Sequence, residues 1–349
     1  MKKAFSLILT LSLSAGLLAG CSGSGTEKRV VNVCSWGEYI DESLIQQFEE
    51  ATGIEVNYQT SPSNEELYSS LTLGGTSYDV IVPSDYMISQ LIEEDMLQPL
   101  DYDKIPNFSK IADRFKNLSY DPENLYTVPY TWGTLGIIYN TKYVDEADVT
   151  GWELLWNEKY ANKILMFGNS RDAFGIAEYL LGYDVNTTED DALQACAQKL
   201  KEQKPLVQQY VMDEIFDLME NEEAWIAPYY AGDFLTMSAE NENLAFYHPA
   251  QGFNLFIDAM CIPSCCQNKE AAETFINFLC KPEIAGANMD WLGYGTPETA
   301  AKEFMDPEAV ASPVAYPDEE TLAKGTAFCF LPTATNQRME ELWLWAKTE

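Results

Sequence analysis

VVNVCSWGEYIDESLIQQFEEATGIEVNY, residues 30–58, reads as strand, helix and strand, and its reading decides the fold. Residues 30–34 are short and apolar, as a buried strand is. Residues 42–52 place Leu44, Ile45 and Phe48 at helical spacing, Gly53 stops that helix, and 54–58 alternate as a strand. The pattern repeats downstream. A helix over 65–73 ends at Gly74-Gly75, a buried strand over 79–82 ends at Pro83, and a helix over 87–96 follows. Strands alternating with helices predict an α/β domain with a largely parallel sheet.

Ligands of such sheets bind in the crevice beyond the carboxyl ends of the strands. Two loops lie there, 35–39 with Trp36, Glu38 and Tyr39, and 83–86 with Ser84, Asp85 and Tyr86. Both combine aromatic rings with a carboxylate. One such loop is as well explained by rings stapling the next helix, but two at one sheet edge point to a site. Asp85 reads equally as part of that site or as the cap of the following helix.

A second α/β unit follows the turn-rich residues 121–124, with strands over 135–139 and 163–167 and helices over 173–181 and 190–201. A strand over 255–263 carries one acid, Asp258, in apolar company, which a cation meeting it would explain. An amphipathic helix over 269–279 and a last helix near 336–346 complete the pattern. No internal repeat is present.

The 55 acidic and 21 basic residues give a net charge of −34. That field repels nucleic acid and anionic lipid and attracts cations, although most of these carboxylates serve solvated faces. Residues 1–21, MKKAFSLILTLSLSAGLLAGC, form a basic start, a short apolar run and small residues before a cysteine. The run is too short and too polar to span a bilayer, and reads as a signal peptide over 1–20. Residues 21–28 are a small, polar tether. About 320 residues remain, enough for two domains. No other stretch approaches spanning length, so any membrane attachment is through the N-terminus alone. Leu18-Ala19-Gly20-Cys21 resembles the bacterial lipoprotein signal, which implies lipidation of Cys21 and an anchor on the extracytoplasmic face of the cell membrane, or export to the periplasm.

The other seven cysteines are an odd number, and Cys261-x3-Cys265-Cys266 has no zinc spacing, so neither a metal nor a cofactor is expected. Cys261 and Cys280 read as small buried residues. The single histidine, His248, reads as a neutral group at a loop start, which argues against Ser-His or Cys-His catalysis.

Several segments together carry a family resemblance: 36–39 with the helix to Ile54, Tyr78 through Tyr86, Val128 through Gly133, Tyr230-Ala231-Gly232-Asp233, Phe256 through Pro263, Gly293 through Pro297 and Tyr316-Pro317-Asp318. In this order they resemble the spermidine/putrescine-binding proteins of bacterial ABC importers. The resemblance implies a two-lobed, type II periplasmic-binding-protein-like fold with ligand between the lobes. Its lobes would be 29–132 plus 258–302 and 133–257 plus 303–349. It implies a monomeric binding protein rather than an enzyme, whose partners are a polyamine and the permease subunits.

By the same resemblance Trp36, Tyr39, Tyr86, Tyr230, Phe256 and Tyr294 form aromatic walls. Asp172 and Asp258 bind ammonium groups, and Glu38 and Ser84 hydrogen-bond near one end. Asn169 stands where an acid is common in spermidine binders, and Phe328 aligns where a glutamine can stand. Together with Asp233 these departures favour putrescine over spermidine. Two alternatives stay open. Tyr229-Tyr230 resembles the tyrosine pair of ferric-ion-binding proteins of the same architecture, and the many acids would allow a carboxylate-dependent hydrolase.

Overall fold

The computed structural model describes residues 29–348. The signal, Cys21 and the tether lie outside the described residues. The opening segment folds as read: β1 (Val30–Ser35), α1 (Glu42–Thr52), β2 (Glu55–Thr60), α2 (Asn64–Leu73), β3 (Val80–Ile81) and α3 (Asp85–Glu93). Asp41 caps α1 by accepting from the Ser43 amide, and Gly53, at φ 69°, supplies the left-handed residue that ends it.

The second unit comprises β4 (Thr127–Asn140), β5 (Ile164–Phe167), α4 (Ser170–Leu181), α5 (Asp190–Gln203), β6 (Val207–Val211), α6 (Ile215–Glu220), β7 (Ile226–Tyr230), α7 (Ala231–Glu240) and β8 (Leu244–Tyr247). The chain continues through β9 (Phe253–Cys261), α8 (Lys269–Leu279), α9 (Pro282–Leu292), β10 (Gly325–Thr326) and a last helix, Thr333–Thr348.

The sheet order is β2-β1-β3-β9-β4-β7-β5-β6. Two expectations are corrected here. The sheet is mixed: β1, β2 and β3 pair in parallel, as do β5, β6 and β7, but β9 and β4 run antiparallel to each other and to their neighbours β3 and β7. Local periodicity carries no strand direction, which is set by distant pairing. The third helix starts at Asp85, two residues before the expected 87, and Ser84 caps it without a side-chain bond.

Two apolar cores flank the long strands. One gathers Val33, Phe48, Val128, Tyr130, Phe256, Met260, Phe275 and Met305. The other gathers Ile137, Trp152, Leu165, Phe174, Phe253 and Trp343. Because β4 and β9 give residues to both, the lobes are joined where these strands cross between the cores. Phe48, fully buried, meets Phe275 and Phe278 edge-on at 5.1 and 5.4 Å. Removing such a ring costs about 3–5 kcal/mol.

Among the described residues the seven cysteines are free thiols, with Cys261 and Cys280 buried. His248 follows β8 and bonds the Thr134 hydroxyl at 2.9 Å, and burial pushes its pKa down to about 4, which keeps it neutral.

Candidate functional site

The site is built around Asp258 in β9. Its register partner is Thr131 in β4, beside a bulge, and Ser84 bridges to it from the end of β3. The loop after β1 turns Trp36 and Tyr39 onto it. Trp36 Nε1 donates to Asp258 Oδ2 at 3.0 Å, and the Tyr39 hydroxyl at 2.7 Å. Oδ1 is buried without a hydrogen bond. Burial, opposed by the Tyr39, Ser84 and Trp36 side chains, raises the Asp258 pKa to about 6. Asp85, also buried, accepts from the Tyr86 amide at 2.8 Å, and burial with the Asp258 charge nearby raises it to about 8. Asp85 is thus a buried acid of the cleft wall, not the cap of α3.

Asp172 enters from the second core. Asn169 caps α4, accepting from the Asp172 amide at 2.8 Å and donating to its Oδ2 at 2.8 Å. The Tyr230 hydroxyl donates to the same oxygen at 2.7 Å. Burial raises the Asp172 pKa against these bonds. The Tyr86 hydroxyl donates to Glu65 Oε1 at 2.8 Å, and Asn64 holds Ser84 through its amide and hydroxyl, both at 3.1 Å.

A second group of acids forms elsewhere in the cleft. Asp233, in the first turn of α7, is raised to about 8 by burial and by Asp213 and Glu38, against a hydrogen bond with Tyr294. Asp213 follows β6, and Glu38 lies in the first loop. The aromatic wall includes Tyr39, Tyr294, Phe256 and Tyr230. Successive ring centroids are 5.6, 5.9 and 5.5 Å apart.

These groups line one cleft, and no lysine or arginine is among its lining residues. The structure brings all eleven sequence-proposed site residues to it: Trp36, Glu38, Tyr39, Ser84, Tyr86, Asp172, Tyr230, Asp233, Phe256, Asp258 and Tyr294. It adds Glu65, Asp213 and Asn254, which sequence reasoning missed. Glu65 follows β2 and Asp213 follows β6, so the strand-end rule covers both once those strand ends are located. Chemically, the cleft can neutralise separated positive charges and sheathe an apolar chain between them.

The model of the bacterial extracellular solute-binding protein family matches residues 43–318. The spermidine/putrescine-binding periplasmic protein of Salmonella typhimurium is 33% identical over 316 residues, 90% of this chain and 91% of that protein. Among solved structures, the spermidine/putrescine ABC transporter substrate-binding protein of Streptococcus pneumoniae is 38% identical. It superposes with a TM-score of 0.76 over 91% of this chain and 98% of its own. The Tp0655 lipoprotein of Treponema pallidum is 27% identical, with a TM-score of 0.81 over 92% of this chain and all of its own.

Proposed function

The chain belongs to the bacterial extracellular solute-binding proteins, and on that premise we propose that it captures a polyamine in this cleft and delivers it to an ABC importer. One observation carries the reading. Buried carboxylates stand in two groups around an aromatic wall, with no protein cation among the lining residues. An unpaired buried charge costs several kcal/mol, so carboxylates held this way favour a cationic ligand. Between its ammonium groups a polyamine is a methylene chain, which aromatic faces suit, and each cation–π contact adds about 0.5–2 kcal/mol.

Asp258 and Asp172 would hold one ammonium, and Asp233 with Asp213 the other, which favours the diamine putrescine over spermidine. The lobes are proposed as 29–132 plus 258–302 and 133–257 plus 303–349, hinged where β4 and β9 cross. The ferric reading is disfavoured. Tyr229 is buried, and burial together with Asp233 holds its pKa well above the ordinary tyrosine value, which opposes a tyrosinate.

Lipidated at Cys21, the protein would work as a monomer beside its permease. Replacing Cys21 with Ala is expected to move it from the membrane fraction to the soluble one, and unchanged membrane retention would oppose the anchor.

The test is a thermal-shift panel of putrescine, cadaverine, spermidine and spermine. A ligand of the folded state raises stability by RT ln(1 + [L]/Kd). Putrescine is expected to give the largest shift. A panel in which no polyamine moves the melting point, while an unrelated solute does, would overturn the proposal.

A further inference from the structure

Residues 327–332 join β10 to the last helix without regular structure, yet Phe328 among them is 4% exposed and lines the cleft. A segment with no ladder bonds must be placed by side chains. Asn186 does this, accepting from the Cys329 amide at 2.7 Å and donating to the Ala327 carbonyl at 3.1 Å. One amide thus pairs with the segment on both sides of Phe328. Arg171 donates to Asn186 Oδ1 and to the Val185 carbonyl, both at 2.8 Å. Its guanidinium lies 4.0 Å from the centre of the Phe328 ring. Gly175, one turn along α4, makes room, since a Cβ there would come within 2.7 Å of the ring. Tyr86 meets Phe328 edge-on, with centroids 6.3 Å apart.

We infer that Phe328, fixed by Arg171 and Asn186, is an end stop that makes the cleft select a two-ammonium chain over a three-ammonium one. This rests on the polyamine reading and adds to it the residues that set ligand length. A phenylalanine offers an incoming ammonium no acceptor. Its ring already serves a guanidinium, so a ligand cation beside it meets a like charge across the same ring. Glu65 Oε1 accepts the Tyr86 hydroxyl, which ties that carboxylate to the ring packed edge-on against Phe328. Phe328 is the stop itself; Asn186 and Arg171 are positioning residues that act through it.

The experiment is calorimetric titration of the mature chain with putrescine, spermidine and unbranched diamines of increasing length. The parent is expected to bind putrescine more tightly than spermidine and to lose affinity as the diamines lengthen past a cut-off. Phe328→Ala is expected to raise the spermidine-to-putrescine affinity ratio by about tenfold or more, and Asn186→Ala to move it the same way by less. Phe328→Leu, which keeps an apolar stop, should stay near the parent.

A parent that prefers spermidine, diamine affinity that keeps rising with length, or ratios within about twofold of the parent in both alanine variants would overturn the stop. The diamine series on the parent decides the matter should both variants fail to fold. A parent that binds no polyamine overturns the underlying reading instead, so the two failures are distinguishable.

Discussion

Replacing Asp258 with Asn changes one charge and almost no shape. Its Oδ2 accepts from Trp36 and Tyr39, bonds an amide oxygen can keep, while Oδ1 has no hydrogen bond to lose. What disappears is the charge that would meet a ligand ammonium. Leaving one member of a buried pair alone costs about 3–5 kcal/mol, so polyamine affinity should fall by about two to three orders of magnitude or more.

The unliganded fold should respond in the opposite direction. A carboxylate raised from 3.8 to about 6 is ionised in the unfolded chain before it is ionised in the folded one. Its neutral form therefore supports folding fully below pH 3.8, and that support is lost as pH rises through about 6. The loss amounts to about 3 kcal/mol at pH 8. Asparagine escapes it, offset by about 1 kcal/mol or more for an amide N–H left without an acceptor. Titration calorimetry with putrescine, paired with melting curves at pH 4 and pH 8, reads both effects. Asp258→Asn should bind at least about a hundredfold more weakly while melting at or above the parent at pH 8, with the gap closing at pH 4. Affinity within about threefold of the parent would refute the reasoning.

Other outcomes follow from the same geometry. Asp85 and Asp233, each at about 8, hold protons at pH 7 that an arriving ammonium would displace. Binding should therefore release about one to two protons and weaken from pH 8 to pH 5.5. Titrations in buffers of different ionisation enthalpy would show this, and identical apparent enthalpies would contradict it. Gly232→Ala improves local helix propensity but sets a Cβ 2.4 Å from the Tyr294 ring. Displacing that wall should weaken polyamine binding by about tenfold with little change in melting temperature, and parental affinity would show that the ring position does not matter.

Much of the molecule was legible because its signals are local. The α1 helix is marked by apolar spacing and Gly53, and the loops after β1 and β3 stand out as aromatic and acidic residues at strand ends. Asp258 is visible because an acid in an apolar strand is anomalous. Asp85 was legible only as one of two readings and Glu65 not at all, since an acid in the first turn of a helix looks the same in sequence whether it faces solvent or a cleft. Asp213 was hidden because β6, Val207–Val211, has a half-exposed pattern with two glutamines and gives no clear strand signal. The antiparallel crossing of β4 and β9 depends on pairing more than a hundred residues apart, such as Thr131 with Asp258, and no local pattern carries it.

The most direct measurement is a crystal structure of the mature chain grown with putrescine. The account predicts one ammonium within about 3 Å of Asp258 Oδ1, the other at Asp233, and the methylenes against Phe256 and Tyr230. Electron density for putrescine elsewhere, or an empty cleft at saturating putrescine, would contradict it.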